Sequence, residues 1–457
     1  MPAYHKQNTR YHFQYTNSDH ATAHGGQVLV DGLCRRFGLW KTIAQQPLLD
    51  PRTRKGSGFA PDSIIAQLLF TLTSGGVSLA DAERLGQDPV LLELIGLKKG
   101  ADESTLGQWL RSQTKDSVLA LHQINADLVD AVLAQAKPGR VLHGGALEMF
   151  FDDTEIEVHG KKIAQARFNY EGNLALSWQT LWAGPFLLDG VLDGAGDVSQ
   201  HLPALLAEHQ GRWKDKASYL YADSASSAAE YLKSIDGAGF TRWSVSYNKW
   251  TKVLDRLAEE LPAGEWSAEE TEKWTDGTQQ RSQYAWLKHM PGKNDQARTF
   301  AAVRRKKDGE MIWRHYYVAC QAHEIKDPKV VFERHALKGA KEQGFSQVLS
   351  DLDLHHPPCL ELIANQAFYA IGMLAFNVLM ALKVLELPDE SQGWRVRTII
   401  RHLLTVPVTV SYHARYRTAT VCVAAGWLRW WRLFMDQFVP KRKPGRPAKE
   451  QSASDGG

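Results

Sequence analysis

Hydrophobic and polar positions follow a helical rhythm through the first third of the chain. Apolar residues recur at helical spacing between positions 64 and 69, directly after the helix-start residues Asp62 and Ser63. A second helix is predicted to begin at Asp102, whose side chain can cap the first turn. We therefore predict a helical N-terminal domain over residues 1–140. Short helices joined by tight turns permit a helix-turn-helix, and we predict that this domain binds DNA; a plain helical bundle is the simpler alternative.

The rhythm changes near residue 147, where the pattern becomes typical of strands. Residues 147–159, 174–188 and 217–223 are predicted strands, and residues 224–235 follow as a predicted helix. Strands followed by helices indicate a mixed α/β sheet, and we assign its first part to residues 141–239.

A tryptophan-rich segment comes next. Residues 240–326 are predicted to form a β-rich insertion, with a hairpin across Asp308–Gly309. Helical spacing returns at 327 and again from 362 onward, which predicts a helical part over residues 327–438. The six tryptophans of the insertion are Trp243, Trp250, Trp266, Trp274, Trp286 and Trp313.

Composition narrows the class of protein. The 457 residues are 44% hydrophobic and 23% charged with a net charge of +3, which is ordinary for a globular protein of several domains. The four cysteines are far apart, which argues against a zinc site or a disulfide framework and favours the cytoplasm. The apolar run 367–382 is shorter than the about 20 residues that span a membrane, so we predict a buried core helix. The basic tail 439–457 is predicted to be disordered.

Two acidic positions stand out at the ends of predicted strands. Strand alternation puts Asp152 on one face of its strand and Asp153 on the other, which is expected to be solvated. Asp152 is therefore the better candidate for a cleft, although a bulge would exchange the two. Asp223 ends an apolar strand just before a helix, at the edge of an α/β sheet where ligand sites gather.

A third acidic position lies in a predicted helix. The spacing of His335, Lys338 and Glu342 places all three on one face of a continuous helix. Carboxylates without a local excess of cations can hold two Mg²⁺ or Mn²⁺ ions about 4 Å apart, and such a pair promotes phosphodiester displacement. Simpler explanations exist for each acid, since Asp223 can be only a helix cap and Glu342 only an exposed charge.

The segments around Asp152, Asp223 and Glu342, in this order along the chain, resemble those of the DDE transposases of bacterial insertion sequences. The members they resemble carry a β-rich insertion between the second and third acids. In the sequence, 71 positions separate Asp152 from Asp223 and 119 separate Asp223 from Glu342, so the long second gap fits an inserted domain. The resemblance covers most of the chain and rests on four stretches, which are residues 150–154 with 159–162, residues 220–224, residues 335–343, and residues 362–369 with 374–379.

The resemblance implies a ribonuclease H-like mixed-sheet core, interrupted by the β-rich insertion, in which Asp152, Asp223 and Glu342 hold two Mg²⁺ or Mn²⁺ ions per active site. It implies cut-and-paste transposition: strand cleavage at insertion-sequence ends, then transfer of those ends into target DNA. The expected partners are double-stranded DNA with terminal inverted repeats, target DNA and a second copy of the chain, with no membrane. The expected location is the bacterial cytoplasm, at the nucleoid. A nuclease without strand transfer and a catalytically inactive DNA-binding regulator are the alternatives.

The sequence departs from the family around the third acid. Lys338 stands four positions before Glu342 where Arg is usual, His335 stands at the position of a Tyr, and Leu349 at that of a Lys. A lysine still acts as a point charge toward phosphate, so Lys338 is predicted to contact DNA near the scissile phosphate.

Two further segments are candidates for DNA contact. Arg446, within the basic stretch 441–447, resembles the arginine of an AT-hook, and a solvated basic tail is the simpler alternative. Trp286 is the tryptophan of the insertion that we would test for stacking on an unpaired base, and packing within the hairpin is the simpler account for most of them.

Overall fold

The computed structural model describes residues 19–55, 57–159, 162–169, 171–248, 251–273, 277–290, 296–321, 325–413 and 416–438. The side chains at positions 340–342, 416 and 434–438 are outside this description. Three residues named above, Trp250, Trp274 and Arg446, also lie outside the described residues, as does the whole tail 439–457.

The described N-terminal part is built from helices, several of which begin with a side-chain cap. Ser78 accepts a hydrogen bond from the backbone N–H of Asp81, and Asp102 accepts one from that of Thr105, so each cap satisfies a free donor in the first turn. The helical character agrees with the sequence pattern. The helices are α1 (Gln27–Arg36), α2 (Leu39–Gln45), α3 (Pro61–Thr73), α4 (Leu79–Gly86), α5 (Pro89–Ile95), α6 (Glu103–Arg111), α7 (Lys115–Gln135) and α8 (Pro138–Val141).

A mixed sheet forms the core. The strands are β2 (Leu147–Glu157), β4 (Leu174–Ala183), β5 (Phe186–Gly194), β6 (Ser218–Ala222) and β7 (Arg242–Tyr247), and the short β3 (Arg167–Phe168) pairs with β4. They lie in the order β5–β4–β2–β6–β7; β2, β6 and β7 are parallel to one another, and β4 is antiparallel to both β2 and β5. This arrangement confirms the predicted mixed α/β core of the ribonuclease H-like type. Between β5 and β7 the chain forms α9 (Leu202–His209) and α10 (Ala229–Gly237).

The insertion continues the same sheet. Its strands are β8 (Glu270–Lys273), β9 (Gln279–His289), β10 (Arg298–Lys307) and β11 (Arg314–Cys320), preceded by α11 (Thr251–Glu260). The predicted hairpin turn is present, and Gly309 in it has a φ of +81°, which suits glycine. Because β11 pairs with β7, core and insertion share one ten-stranded sheet. The sequence boundary at residue 240 placed β7 in the insertion, whereas its parallel pairing with β6 makes it a core strand.

The C-terminal part departs from the expected all-helical pattern. It begins with α12 (Pro328–His335), a 3₁₀ segment (Ala336–Lys341) and α13 (Glu342–Ser346), then α14 (Leu362–Ala381), α15 (Val396–Ile399) and α16 (Ala425–Phe438). Between α15 and α16 lie two strands that the sequence analysis assigned to helix, β12 (Val408–His413) and β13 (Tyr416–Val421). The strand β1 (Ala21–Thr22) pairs with β12, so the two ends of the described chain meet in one small sheet.

Helix α14 forms the centre of the hydrophobic core. Tyr369 and Phe376 pack edge-on against Trp178 and Trp182 of β4, at ring-centroid distances of 5.1 and 5.7 Å. The helix with its continuation to Glu386 is long and apolar enough to cross a membrane, but 94% of its most apolar window is buried inside the protein. The prediction of a buried core helix is confirmed.

Candidate active site at the carboxyl ends of the core strands

The register of two parallel strands brings two of the candidate acids together. Strands β2 and β6 pair from Leu147 opposite Ser218 to Phe151 opposite Ala222, so Asp152 and Asp223 are the next residues of the two strands. Paired positions of neighbouring strands direct their side chains to the same face. The charge of Asp223 also contributes to raising the pKa of Asp152. The two carboxyl groups therefore belong to one site.

Asp152 is a half-buried carboxyl group with a cationic partner. The Lys338 Nζ lies 3.0 Å from its Oδ2, and the backbone N–H of Asp153 donates to its Oδ1 at 3.1 Å. Burial raises the pKa of Asp152 above the usual range, the Lys338 ammonium opposes this effect, and the Asp223 carboxylate adds to it. The net shift remains upward, so Lys338 does not fully compensate the cost of the buried charge.

Asp153 points to the opposite face, as strand alternation predicted, but that face is not solvated. The Ser177 hydroxyl of β4 donates to Asp153 Oδ1 at 2.5 Å, and burial raises the pKa of Asp153 to about 7 in spite of this bond. The pairing of β2 with β4 runs unbroken through Asp152 and Asp153, so the structure shows no bulge that would exchange them. The expectation of a solvated face failed because this part of the face is buried, as the neighbouring side chains of Ser177 and Gln179 on β4 show.

Asp223 has a structural contact besides its place beside Asp152. Its Oδ1 accepts a hydrogen bond from the backbone N–H of Ala225 at 3.0 Å and so caps the 3₁₀ segment Ser224–Ser227. The second oxygen is not used by the cap. A capping role and a ligand role are therefore compatible, since the cap fixes the carboxylate at the end of β6.

The third-acid segment is not the continuous helix that the sequence analysis assumed. Helix α12 ends at His335, the chain tightens into a 3₁₀ segment, and α13 begins at Glu342. The argument that His335, Lys338 and Glu342 share one helical face is therefore wrong. The structure places Lys338 against Asp152, whereas the Glu342 side chain lies outside the described residues.

His335 joins this segment to the core sheet. The Ser244 hydroxyl lies 2.8 Å from its Nδ1 and the Ser246 hydroxyl 2.8 Å from its Nε2, so both ring nitrogens have a partner on β7. The ring meets Tyr221 of β6 at a centroid distance of 6.3 Å. Burial, aided by the charge of Lys338, lowers the pKa of His335 to about 4. The imidazole is thus neutral at physiological pH, and its two hydrogen bonds connect the end of α12 to β7.

Sequence reasoning missed the serines that hold these groups. Ser244 and Ser246 flank the buried Val245, and Ser177 faces Asp153 from the neighbouring strand. Alternation in β7 indicates that its two serines share a face, which was the available signal for a polar contact. Nothing in the local sequence connects Ser177 with Asp153, because their pairing depends on the register of β2 and β4.

The insertion tryptophans mostly serve packing. The indole N–H of Trp286 donates to the carbonyl oxygen of Lys326 at 3.1 Å, and its ring packs against the cluster that includes Val331 of α12. Trp266 and Trp313 lie on the guanidinium of Arg304, 4.3 and 4.9 Å from their ring centroids. Trp286 therefore has a structural role, which weakens the idea that it stacks on a base.

The donor chemistry of this edge suits a hard divalent cation. Asp152 and Asp223 offer carboxylate oxygens, the ligands that Mg²⁺ and Mn²⁺ prefer, and burial together with the neighbouring Asp223 raises the pKa of Asp152 in spite of Lys338. Within the described residues no group of three His, Cys, Asp or Glu side chains is close enough to hold a metal. Two described carboxylates therefore fit such an ion, and a third ligand has to come from elsewhere.

One family model matches nearly the whole chain. The family model described as transposase DDE domain group 1 matches residues 16–437. Among solved structures, the cryo-EM structure of a piggyBac transposase synaptic complex with hairpin DNA is similar with a TM-score of 0.43 and 10% identity, over 89% of this chain and 85% of that chain. No curated protein matches the sequence.

Proposed function

Because the chain belongs to the DDE transposases of domain group 1, we propose that it cleaves DNA at the ends of an insertion sequence and joins those ends to target DNA. In the first step a water oxygen attacks a phosphorus at the element end, the bond from phosphorus to O3′ breaks, and a free 3′-hydroxyl remains. In the second step that hydroxyl attacks a target phosphorus and displaces a target O3′. Each step exchanges one P–O bond for another.

Asp152 and Asp223 are the proposed ligands of the catalytic divalent ions, and Glu342 is the proposed third. The observation that supports this most is that Asp152 and Asp223 lie side by side where the parallel pairing of β2 and β6 ends, with Lys338 3.0 Å from Asp152. When bound, a pair of Mg²⁺ or Mn²⁺ ions activates the attacking oxygen and stabilises the leaving oxygen. The ends of these strands hold both carboxylates in place before DNA arrives, which lowers the reorganisation that the reaction requires.

The β10–β11 hairpin supports a DNA path beside these acids. Tyr317 of β11 pairs with Tyr247 at the end of β7, so the hairpin extends beyond the edge that carries the acids. Arg305 lies opposite Arg314 in the hairpin, on the face that packs against Val331 of α12 further along the strands, and Arg314 is also ion-paired with Glu310 at 2.6 Å. At its tip Met311 and Ile312 are 91% and 76% exposed. We infer that duplex DNA crosses this basic surface, with its phosphates toward the arginines.

Lys338 and Arg446 are the further proposed DNA contacts, and a homodimer that holds two terminal inverted repeats is the proposed assembly. Lys338 lies close enough to the acids to reach a phosphate that enters the site. Arg446 lies in the basic tail outside the described residues, so its role rests on the sequence alone.

A nicking assay with short element-end duplexes in Mg²⁺ tests the metal ligands. Asp152→Asn, Asp223→Asn and Glu342→Gln should each lower the single-turnover cleavage rate by about a thousandfold or more, and binding of the duplex should change little. Wild-type rates in all three variants would contradict the assignment. Cleavage without joined product would identify a nuclease, and binding without any metal-dependent cleavage would identify a regulator.

A further inference from the structure

An ammonium group lies among the carboxyl groups at the point where the parallel pairing of β2 and β6 ends. Asp152 is in contact with Lys338, and Asp223 is close enough for its charge to act on Asp152. The side chains of Lys338 and Asp152 are only 20% and 17% exposed, so water screens their interaction weakly. Two neighbouring carboxylates repel each other, and the Lys338 charge reduces that repulsion in the protein without metal.

The fold holds the backbone of Lys338 in place but leaves its side chain free to move away. His335 fastens the end of α12 to Ser244 and Ser246, and the 3₁₀ turn that follows directs Lys338 toward Asp152. The four-carbon stem of lysine carries a compact charge that can change partners by rotation. The oxygen that accepts Lys338 belongs to a proposed metal ligand.

We propose that Lys338 is the resident counter-ion of the Asp152–Asp223 pair, and that it gives up Asp152 when a divalent cation binds there. The released ammonium is then available to a DNA phosphate in the same site. This inference rests on the proposed function, because it takes Asp152 as a metal ligand. By reciprocity, a phosphate that attracts Lys338 favours cation binding, so metal and DNA strengthen each other's binding through one side chain.

Mn²⁺ binding measured by electron paramagnetic resonance, without DNA and at about pH 8 where carboxylates are ionised, tests the competition directly. Lys338→Met removes the competing charge with little change in volume, and Lys338→Arg keeps it. We expect Lys338→Met to bind Mn²⁺ about tenfold more tightly than wild type, which corresponds to about 1.4 kcal/mol, and Lys338→Arg to stay within about threefold. In EDTA the Lys338→Met protein should melt at a lower temperature than wild type, and saturating Mn²⁺ should close that gap.

Lys329→Met is the matched control, because Lys329 is an ion-paired lysine of α12 whose partner, Glu270 at 2.8 Å, lies on β8, away from the acids. It should leave Mn²⁺ affinity unchanged. A short element-end duplex should tighten Mn²⁺ binding in the wild type and much less in Lys338→Met.

Two outcomes overturn the inference and differ in what they leave standing. If Lys338→Met binds Mn²⁺ no more tightly than wild type while Asp152→Asn loses binding, Lys338 is not a competitor and the metal site stands. If Asp152→Asn and Asp223→Asn bind Mn²⁺ as well as wild type, the metal assignment fails, and the inference fails with it.

Discussion

Two aspartates of the core sheet, the buried Asp189 and the half-buried Asp152, have opposite surroundings. Asp189 of β5 lies between His122 of α7 and His209 of α9, whose ring nitrogens are 2.9 and 2.6 Å from its two oxygens. Burial acts to raise its pKa, but the two histidines outweigh burial, and the pKa of Asp189 lies well below its usual range. Asp152 has one lysine and a neighbouring carboxylate, and its pKa lies above the usual range.

The difference separates a structural acid from a candidate functional one. The backbone N–H of Gly190 also donates to Asp189 at 2.6 Å, and Arg212 donates to the far nitrogen of His209 at 3.2 Å, so Asp189 ends a fully paired chain of groups. These hydrogen bonds join helix α7 to the core sheet. Both oxygens of Asp189 already have partners, so this carboxylate does not need a bound cation. Lys338 only partly offsets the burial of Asp152 and the charge of Asp223, so a further cation would stabilise the two carboxylates.

The largest expected effect concerns stability. Asp189→Asn should lower the free energy of unfolding by about 3 to 5 kcal/mol, because it removes the buried negative charge and leaves one of the two histidines without an acceptor. Asp152→Asn should change it by less than about 1 kcal/mol, because losing the pair with Lys338 is offset by less repulsion from Asp223. Urea denaturation in EDTA measures both. Equal losses in the two variants would remove the distinction.

His335 should make the stability of the folded protein depend on pH in the acid range. Its pKa in the folded protein is about 4, against about 6.5 when unfolded, so the folded protein binds fewer protons between these values. The stability that this group contributes is complete above about pH 6.5 and is lost as the pH falls toward 4, by an amount on the order of 3 kcal/mol.

His335→Gln, which can still bond the serines but does not titrate, should flatten this part of the melting-temperature profile. The control is Ser411→Ala on an exposed strand of the C-terminal sheet. A wild-type and a His335→Gln profile with the same slope over this range would show that His335 is not held neutral.

The basic hairpin should affect affinity more than chemistry. Arg305→Ala with Arg314→Ala should weaken binding of an element-end duplex about tenfold to a hundredfold, and should reduce the slope of log affinity against log salt by about 2. Arg256→Ala, on the exposed side of α11, is the control. Fluorescence anisotropy at several salt concentrations gives both quantities, and an unchanged slope would place the DNA elsewhere.

The smallest effect is expected at Asp153. Because it faces Ser177 and not Lys338, Asp153→Asn should keep the nicking rate within about fivefold of wild type, a change of about 1 kcal/mol. Single-turnover rates for Asp153→Asn and Asp152→Asn, measured side by side, provide the check. The reverse ranking would move the metal ligand by one position.

Local periodicity accounts for what could be predicted. Alternation gave strand β2 and the opposite directions of Asp152 and Asp153, and the Asp-Gly pair gave the β10–β11 hairpin. The same signal was present in β12, where Val408 and Val410 are buried and Thr409 is exposed, but the short run was taken for part of a helical region.

Partners distant in sequence could not be predicted from it. Lys338 meets Asp152, and His335 meets Ser244 and Ser246, only because the third-acid segment folds onto one face of the sheet. The switch from α-helix to 3₁₀ turn after His335 is also set by these contacts, since Ala336 to Lys341 is compatible with a helix by composition.

During synthesis, helices α3 and α7 leave the ribosome long before α14, the helix that packs against both. Asn125 of α7 is bonded to Asn377 of α14 at 2.8 Å, and strand β1 has its partner in β12 near the far end of the chain. The early helices therefore expose apolar surface until most of the protein has been made, and contacts this distant in sequence form slowly. The N-terminal helices share one hydrophobic core with α14, so a polypeptide that stops before Leu362 lacks the surface against which they pack.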